Sequence, residues 1–310
     1  MKQTVIKLLP KSWINAWRSF KFIFQGDYLR VRRRLEELER ASYLSAQSGL
    51  PAYNGLVGAY RFQNTLNRYE QRIYSQNGED GVLLHLFSLL GTTDRRFIEF
   101  GIGDGKQCNT ANLSLNFGWS GLLLEIDAQN VQAARRYYQQ QLGQSAAQVE
   151  ITQAQVTAEN INLILSEHGY TGEVDLLSID IDSNDYWVWQ AIDIIQPRVV
   201  TIEFNASLGC ERPLVVPYQS SFDAQAAHVS GFYHGASLAA LTKLGQAKGY
   251  LLAGCESAGI NAFFVREDVA LGKVTAVSPT QAYFPHAYRT ALMSQQAQFD
   301  LIRHLPFIEV

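Results

Sequence analysis

A short apolar strand running straight into a glycine-rich turn, RFIEFGIGDG at residues 96–105, restricts the fold of this 310-residue chain more than any other feature. Gly101, Gly103 and Gly105 alternate with single residues, and a segment that reads as a helix start follows. Glycine accepts left-handed backbone and lets the main chain approach a neighbour closely. Three glycines at the carboxyl end of a strand therefore predict a ligand-facing loop in an open α/β sheet. The chain beyond the loop agrees. Strand patterns at 121–127, 148–154, 174–181 and 198–204 alternate with helical patterns at 128–142, 158–169 and 185–193. Such alternation predicts right-handed βαβ units, a mostly parallel sheet and helices on both faces. The stretch 74–91 also reads as a helix, with Leu83, Leu84, Phe87 and Leu90 at helical spacing.

After Phe204 the alternation stops. Residues 205–235 are irregular, a helix is expected over 236–249, and YLLAGC and INAFFVRE read as a hairpin. The expectation is a doubly wound, Rossmann-like sheet of seven strands ending in an antiparallel hairpin. Three regions are expected: a basic, aromatic helical extension at 1–60, the α/β domain at 61–270, and a cover segment at 271–310.

Charge is unevenly spread. The first forty residues hold ten Lys/Arg and four Asp/Glu, while the whole chain is at −3, so the remainder carries −9. The basic start interleaves Trp13, Trp17, Phe20, Phe22 and Phe24 with Lys11, Arg18 and Lys21. Residues 1–40 are thus expected either to make a peripheral contact with an anionic membrane face or to pack on the body or a second subunit. The opening sequence lacks the sustained apolar core and cleavage site of a secretory leader. Cys108, Cys210 and Cys255 form no disulfide or zinc pattern, which fits a reducing compartment and a cytoplasmic protein. The acidic body makes nucleic acid an unfavoured partner, and a homo-oligomer stays open.

The residues around the turn indicate what it holds. Glu99 and Asp104 flank the glycines, and Glu125 ends the next strand twenty residues after Gly105. A carboxylate at the Glu125 position can accept both ribose hydroxyls of a nucleoside. A dinucleotide would set a pyrophosphate on this loop, where two carboxylates oppose it. S-adenosylmethionine has no phosphate and carries a sulfonium and an ammonium, so acidic residues suit it. The expected cofactor contacts are Gln76, Glu99, Gly101, Gly103, Asp104, Glu125 and Asp180. NAD on the same kind of fold, and a binding protein without catalysis, are the alternatives.

The segments YSQNGEDG, FIEFGIGDGKQCNT, GLLLEID, SIDIDSNDYW and IEFNAS resemble the FkbM-type branch of S-adenosylmethionine-dependent methyltransferases, from about Tyr74 to Arg266. The resemblance implies a cofactor site at Glu99, Gly101, Gly103 and Glu125, and methyl transfer to a hydroxyl of a sugar or polyketide-like product. SIDIDSND departs from the D-x-E-G commoner in that family.

A second acidic group lies further on. Asp180 and Asp182 are two apart at the end of the fourth strand, and Glu203 and Asn205 two apart at the end of the fifth. Side-by-side strands would bring these oxygens together as ligands for Mg²⁺ or Mn²⁺. A bound cation would acidify an acceptor hydroxyl, with Asp182 or His234 as the base. Helix capping by Asp182 and Asp185 is the bland alternative. Tyr218, Phe222, Phe232 and Tyr233 are expected to line the acceptor or to pack the lid. The expected activity is O-methylation of a sugar, glycan or lipid-linked glycan.

Overall fold

The computed structural model describes residues 66–310. The extension expected over 1–60 and the membrane contact expected of 1–40 lie outside the described residues. β1 (Arg96–Phe100), β2 (Ser120–Glu125), β3 (Val149–Gln153), β4 (Gly172–Ile179) and β5 (Ile195–Glu203) are parallel. A two-residue strand, β6 (Leu214–Val215), stands outside the main sheet. β7 (Tyr250–Cys255) and β8 (Asn261–Arg266) complete the order β3-β2-β1-β4-β5-β8-β7. The expected hairpin forms, but one of its strands alone opposes the sheet. β8 is antiparallel to both β5 and β7, so β7 runs with the first five. This is the seven-stranded Rossmann-like methyltransferase arrangement.

Period-two alternation divides the core between the two faces. Ile98 and Phe100 pack with Leu122, Leu177 and Val200 on one face; Phe97 packs with Leu123, Leu176 and Val199 on the other. The second face is covered by α1 (Glu79–Leu90), α2 (Ala111–Phe117) and α3 (Ala128–Leu142) through Val82, Leu113 and Val131. The first is covered by α4 (Ile161–Glu167), α5 (Asp185–Ala191) and, after the short α6 (Ala224–Ala227), α7 (Leu238–Ala247), through Leu165, Trp189 and Leu241. Each such buried side chain contributes about 1.5–3 kcal/mol. Side-chain caps fix helix starts, among them those of α3 and α7: Asp127 accepts from Gln129 and Asn130 N–H, and Ser237 from Ala240 N–H.

The helix expected over 74–91 begins only at Glu79. The reason is the Asp80 carboxylate, one oxygen of which accepts the N–H groups of Ile73, Tyr74 and Ser75 at 2.8, 2.6 and 2.8 Å. Those amides are therefore gathered into a loop, which passes over the sheet's carboxyl edge.

The tail is a cover with short elements: α8 (Glu267–Ala270), α9 (Pro279–Ala282), α10 (Ala287–Thr290), α11 (Gln295–Ile302) and β9 (Ile308–Glu309). β9 pairs with β6, the Tyr283 hydroxyl donates to Ala206 O at 2.8 Å, and Ser207 donates to Gln298 at 2.7 Å. These bonds fasten the tail to the segment following β5. Among the described residues, no helix is long and apolar enough to cross a membrane.

Candidate active site at the carboxyl ends of the strands

From β1 the chain moves outward through β2 to β3, then returns to place β4 on the other side of β1. The carboxyl ends of β1 and β4 are thus the switch point where open α/β sheets bind ligands. Gly101 has φ +75°, and a Cβ there would lie 1.6 Å from the carbonyl oxygen of Asp180. No side chain fits, and the loop touches β4 main chain to main chain. Gly105 (φ +77°) packs on α3, where a Cβ would meet Ala134 Cβ at 2.8 Å. Gly103 (φ +53°) has open space before it.

Two carboxylates organise this loop. Glu125 accepts Gly103 N–H at 2.7 Å and Asp127 N–H at 2.9 Å, joining the turn to the end of β2. Glu99 is buried and accepts Asn109 N–H (2.8 Å), Thr110 N–H (3.0 Å) and the Thr110 hydroxyl (2.5 Å), holding the start of α2. Burial raises its pKa, and these bonds lower it again in part.

The charge picture at the loop differs from the one expected. Asp104 is on the rim, ion-paired with Lys106, which depresses its pKa, so it is not the free negative charge the sequence suggested. The acidity comes from other residues. A cavity of about 210 Å³ on one side of the loop is walled by Glu79, Glu99, Asp104 and Asp180, with Gln76 at its edge, and its lining holds no Lys, Arg or His. A second cavity, about 400 Å³, opens between Glu125, Ile126, Ala154, Val156 and Asp182. A third, about 450 Å³, is bounded by Asp182, Ser183, Phe222, His234 and Arg289. Asp180 borders the first and second, and Asp182 the second and third. The three therefore form a connected series.

At their junction the carboxylates of Asp180, Asp182 and Glu203 each place an oxygen within 4.8 Å of the others. Burial, then mutual repulsion, pushes Asp180 and Glu203 well above the usual carboxylate range. Asp182 is exposed and sits in left-handed backbone, φ +57°. Asp185 imposes that turn, accepting Ile181 N–H at 2.9 Å and Ser183 N–H at 3.0 Å. Asp185 therefore anchors the loop, while Asp182 makes no cap. Strained non-glycine backbone held this way is typical of functional positions.

Two residues with expected roles are engaged elsewhere. The Asn205 amide, expected as a metal ligand, is taken up by other partners. Its Nδ2 donates to the carbonyls of Phe232 (2.7 Å) and His234 (2.9 Å), and its Oδ1 accepts from Ser207 N–H (3.0 Å) and Arg289 (3.2 Å). With all its capacity committed, the amide locks the segment after β5. His234 does not present a free basic nitrogen to the cavity. Its Nε2 accepts from Arg289 at 3.2 Å, and its Nδ1 is buried without a partner among the described residues. Burial and the neighbouring charges of Arg289 and His286 lower its pKa to about 3.

Arg289 lines the third cavity and is not among the residues the sequence singles out. It lies on α10 in the tail, donates to Asn205, Ser207 and His234, and stacks over Phe232 with 5.5 Å to the ring centroid. Its charge favours the ionised form of Glu203. No local motif marks it, because its partners lie 55 to 84 positions away.

No family model and no curated protein matches the chain. Solved structures of similar course include a Galdieria sulphuraria protein named as a candidate sarcosine dimethylglycine methyltransferase (17% identity, 56% of this chain and 60% of that chain, TM-score 0.39). Others are the N-terminal domain of EvdMO1 with SAH bound (15%, 62% and 81%, TM-score 0.39) and the glycopeptide N-methyltransferase MtfA complexed with S-adenosylmethionine (10%, 56% and 82%, TM-score 0.36). The alignment with the first spans less than two thirds of its length. All three TM-scores lie under 0.5, so the fold assignment stands on the sheet order itself.

Proposed function

We propose that this chain is an S-adenosylmethionine-dependent O-methyltransferase acting on a hydroxyl of a sugar, glycan or lipid-linked glycan. The observation that carries the proposal is the loop cavity: the carboxyl groups of Glu79, Glu99 and Asp180 besides the Lys106-paired Asp104, no Lys, Arg or His in the lining, and Glu125 tied to Gly103 at the mouth of the adjoining cavity. Such a wall suits an ammonium and a sulfonium and opposes a pyrophosphate. That contrast disfavours NAD and a hydride-transfer reading. The motif resemblance to the FkbM-type branch supports the same conclusion.

When bound, the cofactor supplies an electrophilic methyl group on a sulfonium. Glu125 retains lone pairs for the ribose hydroxyls. Ile126, Ala154 and Val156 provide an apolar seat for a purine. The third cavity adjoins the junction and takes the acceptor, with Asp182 placed to receive the proton of its hydroxyl. The oxygen donors of Asp180, Asp182 and Glu203 fit a hard divalent cation, Mg²⁺ or Mn²⁺. Held there, it would favour the ionised forms of Asp180 and Glu203, which burial and repulsion oppose, and lower the pKa of a bound hydroxyl.

Methyl-labelled cofactor incubated with a panel of sugar and glycolipid hydroxyls tests the activity, with and without chelator. Label is expected on a hydroxyl, with at least about a tenfold loss in chelator that Mg²⁺ or Mn²⁺ restores. Full transfer in excess chelator removes the metal. Hydride transfer to NAD⁺ in place of methyl transfer overturns the whole reading.

A further inference from the structure

We infer that Asn261, oriented by Glu79, is the acceptor that recognises the α-ammonium group of the cofactor's methionine end. The inference rests on the S-adenosylmethionine reading and adds a residue and a selectivity to it. Asn261 opens β8, at the carboxyl edge of the sheet two strands away from β4. It is 3% exposed and lines the acidic loop cavity beside Glu79 and Asp180. Its Nδ2 donates to a Glu79 carboxylate oxygen at 2.9 Å. The other Glu79 oxygen accepts Asn77 N–H at 2.9 Å. A carboxylate paired this way only accepts, so the amide cannot turn over: nitrogen faces Glu79, and oxygen faces away from it. That oxygen has no partner among the described residues.

An acceptor this deeply buried without a donor is costly, and a ligand that brings one relieves the cost. The donor must also suit a cavity walled by carboxylates, which selects a cation bearing N–H groups. The α-ammonium meets both demands, whereas a sulfonium has no hydrogen to give. The turn that delivers Asn261 is itself fastened. Glu256 accepts the N–H groups of Ile260 and Asn261 at 2.5 and 2.9 Å, and Phe204 N–H donates to Ile260 O at 2.8 Å. Two distant parts of the chain, the start of α1 and the start of β8, are thereby joined into one receptor.

The test measures the affinity of the full-length protein for S-adenosylhomocysteine, its deaminated analogue and 5′-methylthioadenosine. The wild type should prefer S-adenosylhomocysteine over the deaminated analogue by about tenfold or more, the scale of a charge-assisted hydrogen bond. Asn261→Ala should erase that preference and leave methylthioadenosine affinity within about twofold. Glu79→Gln serves as a second variant should the first fail to fold. It frees the amide to turn its nitrogen into the cavity, and should produce the same selective loss. Equal weakening of all three ligands in a folded variant, or an undiminished preference, overturns the inference. A wild type that binds methylthioadenosine but shows no amino preference overturns it and spares the cofactor reading; one that binds none of the three overturns both.

Discussion

Single side chains carry most of the chemistry, and two of them give sharp expectations. Glu125 is anchored by two backbone N–H groups and faces the cavity assigned to adenosine. Glu125→Ala should weaken S-adenosylhomocysteine binding by about 1.5–3 kcal/mol, roughly 10–100-fold, measured by calorimetry. Gly101→Ala would force a Cβ to within 1.6 Å of a backbone oxygen in left-handed conformation. It should destabilise the fold by about 2 kcal/mol or more in thermal unfolding and abolish cofactor binding. At this scale the sequence was informative wherever a residue acts through its own neighbours. Gly101, Glu125, Asp180, Asp182 and Glu203 all lie at strand ends readable from apolar runs. It did not show the Lys106 pairing of Asp104, or that the Asn205 amide donates to carbonyls about thirty residues on.

At the scale of elements, the strands were legible because each is a short apolar run between polar turns. The start of α1 was not, because a helical pattern of leucines does not reveal that the Asp80 carboxylate gathers three amides ahead of it. The same helix carries a titratable group with a definite sign. His85 stacks on Tyr69 with ring centroids 3.4 Å apart, and burial lowers its pKa from 6.5 to about 4. The folded state therefore binds this proton more weakly than the unfolded chain. Relative to His85→Phe, the wild type should lose stability as pH falls from 6.5 towards 4, and hold level below about 4. Denaturant unfolding of both proteins across that range measures the difference; a constant difference would show that His85 protonates freely in the fold.

On the scale of the molecule, the site is assembled from parts remote in sequence. The glycine loop, the ends of β4 and β5, the β7–β8 turn and the tail each supply one component. The three cavities meet at Asp180 and Asp182, where the proposed function has cofactor and acceptor approach each other. Arg289 shows why this level escaped the sequence: a tail helix of four residues reaches back to the segment after β5. Replacing it by Met should cut methyl transfer by about tenfold while leaving S-adenosylhomocysteine affinity unchanged, because Arg289 borders the acceptor cavity and neither of the other two.

The central claim is that the acidic glycine-loop site takes S-adenosylmethionine and rejects a dinucleotide. Calorimetric titration of the full-length protein with S-adenosylhomocysteine and, separately, with NAD⁺ tests it most directly. Saturable binding of the first at one site per chain, with no heat from the second, is the predicted result. Binding of NAD⁺ without binding of S-adenosylhomocysteine would contradict it.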